Sequence, residues 1–180
     1  MNKIILIGFR CTGKTTIGKE LAKKLNWNFI DLDEKIQKRE GKSIKEIVKE
    51  KGWDYFREIE KKEMKNFKNL KNVIIALGGG SVIHQEEMKN LSDKSLVVWL
   101  YSSPEIILKR IKEDKKTDFQ RPPLKNTNLE EEIETVLKER NPLYEKFSQL
   151  KIDTDKKSIK EITEIIIKEF LRIKGVNYEN

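Results

Sequence analysis

The chain has one cysteine, Cys11, and one histidine, His84, in 180 residues. An internal disulfide is therefore excluded, and so is a thiolate and imidazole cage for zinc. A metal ion, if one is used, has to be held by oxygen. Proline is scarce too, at four, and two of these stand together at Pro122 and Pro123. There is no proline-rich or glycine/serine linker and no internal repeat, so one domain over 1–180 is expected. Long hydrophobic runs are also missing. The opening MNKIILIGF holds too few apolar residues for a secretory leader or a membrane span, and a cytoplasmic protein with no membrane partner is the expectation.

Arginine is the next shortage: only seven of the 38 basic residues are arginine, the rest lysine. Where lysine is the default, each arginine marks a place where a planar, bidentate guanidinium is wanted. The formal charge of +8 arises from 38 basic and 30 acidic residues interspersed along the chain, without a basic tail. No aromatic platform or basic stripe accompanies them, so no nucleic-acid partner is expected.

What is present is alternation. Short apolar runs at 3–7, 28–30, 72–77, 95–100 and 150–152 read as strands. Helical periodicity fills 14–25, 32–38, 43–69 with a break near Gly52, 104–113, 129–146 and 158–173. This pattern predicts an α/β fold, a five-stranded parallel sheet flanked by helices. The polar stretch EDKKTDFQRPPLKNTN, 113–128, lacks periodicity and has the length of a lid.

Residues 8–16, GFRCTGKTT, follow the first strand and open the first helix. Gly8, Gly13, Lys14 and Thr15 satisfy G-x-x-x-x-G-K-[ST], a loop whose backbone N–H groups wrap a nucleotide's β-phosphate at a helix N-terminus. Lys14 would bridge the β- and γ-phosphates, and Thr15 would put its hydroxyl on Mg²⁺. Cys11 stands where a glycine is common. A helix N-terminus lowers a thiol pKa, although a small side chain that simply fits is the plainer reading. Arg10 projects from the variable part of the loop.

A phosphate loop by itself does not separate a GTPase, a motor ATPase and a small-molecule kinase. No NKxD-type guanine motif follows. Asp31 and Asp33, in DLD at the end of the second strand, are expected to face the crevice together. One would hold a metal-bound water and the other a hydroxyl, or an aspartate would cap the next helix. Gly78, Gly79 and Gly80 leave bare backbone for a ligand to approach. Arg57 and Arg140 fall at the edge of apolar helix faces and point partly inward. Each could meet a structural carboxylate, and the two together over one crevice suggest a small anion gripped at its carboxylate. Arg121, in the expected lid, could close on the γ-phosphate or lie on the surface.

Taken in order, GFRCTGKTT, FIDLD, KGWDYFREIE, ALGGG, the KR at 109–110, QRPPL and ERNPLYEKF resemble the shikimate kinases. These are P-loop kinases of the nucleoside-monophosphate kinase type, and the resemblance runs from Lys3 to about Phe170. It implies strand order 2-3-1-4-5 and transfer of the ATP γ-phosphate to the 3-hydroxyl of shikimate. It also implies that Cys11, Thr12, Gly13, Lys14, Thr15 and Thr16 bind phosphates, with Thr15 and, through water, Asp31 on one Mg²⁺. Arg110 and Lys156 would border adenine, and Arg121 would be the lid arginine. Asp33, Arg57, Gly79 and Arg140, with Gly78 and Gly80 beside them, would bind shikimate, Asp33 also orienting or deprotonating the attacking hydroxyl. Lys14, Asp33 and Arg121 form the implied catalytic set, in a protein expected to be a monomer. The chain departs from the family at Cys11, at Arg10, at Leu77 before the glycines, and in RPPL where RPLL is usual. The alternatives are a gluconate or nucleoside-monophosphate kinase of the same fold, or a non-catalytic nucleotide-binding regulator.

Overall fold

The computed structural model describes residues 1–114 and 128–176. The expected lid, apart from Glu113, Asp114 and Asn128, lies outside the described residues, and so does Arg121. Five parallel strands form one sheet: β1 (Lys3–Ile7), β2 (Asn28–Asp31), β3 (Val73–Ala76), β4 (Ser95–Tyr101) and β5 (Leu150–Asp153). Their order is β2-β3-β1-β4-β5, as the resemblance implies. Seven α-helices are present among the described residues. They are α1 (Lys14–Leu25), α2 (Leu32–Glu40), α3 (Ile44–Asn66), α4 (Gln85–Ser92), α5 (Pro104–Glu113), α6 (Leu129–Phe147) and α7 (Ile159–Lys174). None of them is long and apolar enough to cross a membrane.

The central strand explains its own sequence. Every residue of β1 is buried, because helices cover both faces of the sheet. Ile5 and Ile7 enter a core with α2, α3 and α4, while Ile4 and Leu6 enter a second with α1 and α7. A third, smaller cluster of Phe9, Ile107, Ile111, Ile133, Val136 and Leu137 fastens α5 and α6 over the loop after β1.

The helix boundaries have local causes. Ser43 with Glu46, and Ser158 with Glu161, form reciprocal capping boxes that start α3 and α7. The expected break at Gly52 is a real kink, with φ 81° and ψ 169° inside α3. The sequence reading missed α4 and the 3₁₀ turn Ser81–Ile83 before it. Eight residues, QEEMKNLS, with Met88 and Leu91 as their buried apolar pair, are too few for a helical period to stand out. That turn matters, because it sets the direction in which the chain leaves the three glycines at the carboxyl end of β3.

Candidate active site

The loop between β1 and α1 is held open by its own backbone. Gly8 has φ 140°, and a Cβ there would lie 2.3 Å from the Leu100 carbonyl oxygen, so no other residue fits. Gly13 precedes α1 and no side chain caps this helix, which leaves the first-turn N–H groups directed into the loop. Lys14 Nζ donates to the carbonyls of Gly8 at 2.9 Å and Phe9 at 2.6 Å, and Thr12 Oγ1 donates to Phe9 O at 2.9 Å. Cys11 takes a left-handed backbone, φ 61°, which is the physical reason glycine is common at this position.

Arg110 reaches this loop from α5. Its Nη1 donates to Cys11 O at 3.3 Å and to Thr154 Oγ1 at 3.1 Å, and its Nη2 to Thr154 O at 3.0 Å. The loop after β5 is braced by Asp155, which accepts from Ser102 Oγ and, at 3.0 Å, from Ser103 N. Burial alone would push the Asp155 carboxyl up, but these hydrogen bonds outweigh it and hold it below the usual carboxylate range. Lys156, next along, is exposed.

Asp31 serves two neighbours with its two oxygens. Oδ2 accepts from Thr15 Oγ1 at 2.6 Å, and Oδ1 accepts from the backbone N–H groups of Asp33 at 3.0 Å and Glu34 at 3.2 Å. It is thus the N-cap of α2 and also the partner of the expected metal-binding hydroxyl. The expectation that Asp31 and Asp33 share one face of a strand is corrected. The Asp31 cap turns the chain into α2 at once, and Asp33 lies in the first helical turn. There Asp33 is 7% exposed, beside Gly78, where a Cβ would come within 2.7 Å of its Oδ1.

Asp33, Arg57, Arg140, Gly79, Phe9 and Arg10 line one pocket, which brings together residues 131 positions apart in the chain (9 to 140). About 450 Å³ of space free of atoms, open solvent at the mouth included, lies between these residues. Arg57 stands behind the glycines, where a Cβ on Gly80 would fall 2.4 Å from its Nη2. Its guanidinium also lies 5.2 Å from the centre of the Trp53 ring and of the Phe56 ring, favourable cation–π distances.

Of the two partners considered for the inward arginines, a structural carboxylate is found for Arg57: Nη1 donates to Glu60 Oε2 at 2.5 Å. Glu60 is fully buried and also accepts from Ser81 Oγ at 2.8 Å, with His84 Nε2 at 3.0 Å. Burial works to raise its carboxyl pKa. The hydrogen bond from His84, the Arg57 charge and the Ser81 hydroxyl together win, and hold it below the usual carboxylate range. Tyr144, one turn beyond Arg140, donates its hydroxyl to Gly79 O at 2.5 Å. Burial pushes this phenol up to about 12 against the pull of Arg140, so it stays a donor at any physiological pH.

Arg10 is buried rather than projecting, and its Nη2 meets Glu132 Oε1 at 2.7 Å in the first turn of α6. The sequence reading missed Glu60, Ser81, His84, Glu132 and Tyr144. A faint signal existed for two of them: Glu60 is three residues after Arg57, and Tyr144 four after Arg140, both one helical turn away. Nothing local marks the others, because their partners lie far off in sequence.

A phosphate loop between strand and helix, a hydroxyl–carboxylate pair beside it, and an adjoining cationic pocket define a P-loop small-molecule kinase. The shikimate kinase family model matches residues 10–171. A shikimate kinase of Thermodesulfovibrio yellowstonii is 42% identical over 173 residues, 96% of this chain and 97% of that protein. One of Caldanaerobacter subterraneus is 38% identical over 97% of this chain and 99% of its own. The structure of shikimate kinase from Acinetobacter baumannii in complex with shikimate superposes with a TM-score of 0.88 at 30% identity, covering 97% of this chain and 95% of that one. The chain belongs to the shikimate kinase family.

Proposed function

We propose that this enzyme transfers the γ-phosphate of ATP to the 3-hydroxyl of shikimate, with the roles of its residues as follows. The observation that carries this reading is the pocket in which Asp33, two arginines and the glycine backbone meet at the edge of the phosphate loop. A carboxylate with ring hydroxyls suits it: Arg57 and Arg140 take the carboxylate, and the backbone of Gly78, Gly79 and Gly80 lets the ring approach closely. Asp33, at the other side beside Gly78, orients the attacking hydroxyl and accepts its proton.

On the phosphate side, residues Cys11 to Thr16 wrap the β-phosphate, and Lys14 exchanges its loop carbonyls for β- and γ-oxygens. Arg110 and Lys156 border the base, and Arg121 closes from the lid onto the transferred group. Among the described residues no three His, Cys, Asp or Glu side chains gather as a metal cage. The Thr15–Asp31 oxygen pair instead fits Mg²⁺, which takes one or two protein oxygens and fills its remaining positions with water and phosphate. When bound, that ion neutralises charge on the phosphates. A cytoplasmic monomer is its proposed working form.

The test is a coupled assay of ADP release with shikimate, gluconate and nucleoside monophosphates as acceptors. Turnover with shikimate well above the other acceptors is expected. No enhancement over acceptor-free hydrolysis with shikimate rejects the reading.

A further inference from the structure

The single histidine stands outside the roles assigned so far, yet it is placed against the acceptor site. Its side chain is 10% exposed, at the junction of the 3₁₀ turn and α4. Its Nε2 lies 3.0 Å from Glu60 Oε2, the oxygen that also receives Arg57 Nη1. A carboxylate can only accept, so His84 presents an N–H at Nε2 whether the ring is neutral or charged.

Glu60 is therefore gripped from two directions. Arg57 reaches it from within α3, while Ser81 and His84 reach it from the turn that follows the glycines. The carboxylate clips that turn to the helix. Arg57 itself has little room to move, lying between Glu60 and the Gly80 backbone. With Ser81 on one oxygen and His84 on the other, the carboxylate plane is fixed from outside the Arg57 pair, and the guanidinium follows that plane. Remove the His84 donor and Oε2 is oriented by Arg57 alone. The carboxylate is then held from outside the pair only by Ser81 at Oε1, so its plane can tilt about that contact, and even a small tilt of the guanidinium spoils the alignment that a forked contact with an anion requires.

We propose that His84 is a positioning residue for the carboxylate of the acceptor, acting by N–H donation to Glu60 Oε2 and so through Arg57. This deepens the shikimate reading above and rests on it. The device needs a donor at the Nε2 position and does not need a charge.

Two substitutions of similar reach separate these properties. His84→Gln keeps an N–H donor near the Nε2 position, and His84→Met fills the space without one. Steady-state kinetics should give a KM for shikimate about tenfold higher in His84→Met, with the KM for ATP and kcat within twofold of the parent enzyme. His84→Gln should restore the shikimate KM to within about twofold. His84→Leu, smaller and equally without a donor, carries the same expectation and covers the case in which the Met variant does not fold.

A shikimate KM that is unchanged without the donor, or a parallel rise in both KM values that Gln does not rescue, overturns the positioning role. The kinase reading survives either result. Absence of shikimate turnover in the parent enzyme rejects that reading, and the proposal falls with it.

Discussion

The two halves of the site are built on different principles. The proposed phosphate half is the six-residue loop 8–13 between β1 and α1 with the first turn of that helix, and the groups it offers an anion are backbone N–H at a helix end. The proposed acceptor half draws Asp33 from α2, Arg57 and Glu60 from α3, the glycines after β3, His84 before α4, and Arg140 and Tyr144 from α6. The first is a local motif that any strand–loop–helix of the right sequence folds into. The second exists only once the sheet order is set, because β2 and β3 must pair before α2 and α3 can face the same pocket. A phosphate loop can thus be shared by many enzymes, while the acceptor is chosen by side chains held from a distance.

The largest effect should come from the acceptor half. Asp33→Asn is expected to lower kcat by about 10³-fold, as general-base loss does, while ATP affinity measured by calorimetry stays unchanged. If turnover stays near normal, the proton acceptor lies elsewhere and the division into halves is drawn in the wrong place.

Next comes Glu60→Gln. It leaves Arg57, whose side chain is only 18% exposed, beside a neutral partner and should cost about 3 kcal/mol of stability at neutral pH. The sign of its pH dependence follows from the lowered folded value. Glu60 contributes stability above the ordinary carboxylate range, near pH 4.3, and that contribution is lost as pH falls through the lower folded value. Thermal melts should show the gap between parent and variant narrowing in acid. A constant gap would mean that the ion pair is not what the variant removes.

A smaller change is expected from Arg140→Lys: a shikimate KM raised about tenfold or more with kcat less affected, because an ammonium cannot reproduce the guanidinium fork. Equal KM values would show that the acceptor's carboxylate is held by Arg57 without it.

The smallest lies in the phosphate half. Cys11→Gly should raise stability by about 1 kcal/mol, since glycine adopts the left-handed φ of 61° without the Cβ clash. Its thermal melt decides the matter. A lower midpoint would mean that the contact of Cys11 with the Phe9–Ile107 cluster outweighs the backbone strain.

Glycine spacing, apolar runs and helical period depend on neighbours a few residues apart, so the sequence by itself determined the α/β alternation, the phosphate loop and the kink at Gly52. Arginine scarcity in a lysine-rich chain also singled out Arg57, Arg110, Arg121 and Arg140 as candidate guanidinium positions, of which Arg121 lies outside the described residues. The tertiary structure decided what each of the others meets. Glu60 lies within one helix turn of Arg57, but its burial against Ser81 and His84 follows from the 3₁₀ turn, whose eight-residue successor helix was too short to read. Arg10 and Glu132 are 122 residues apart, and no local pattern links them. Only the packing of α6 over the loop brings them to 2.7 Å. Local propensity is written along the chain within a few residues. A buried charge is paired by whichever element the fold brings to it, because leaving it unpaired costs more than almost any local preference can repay.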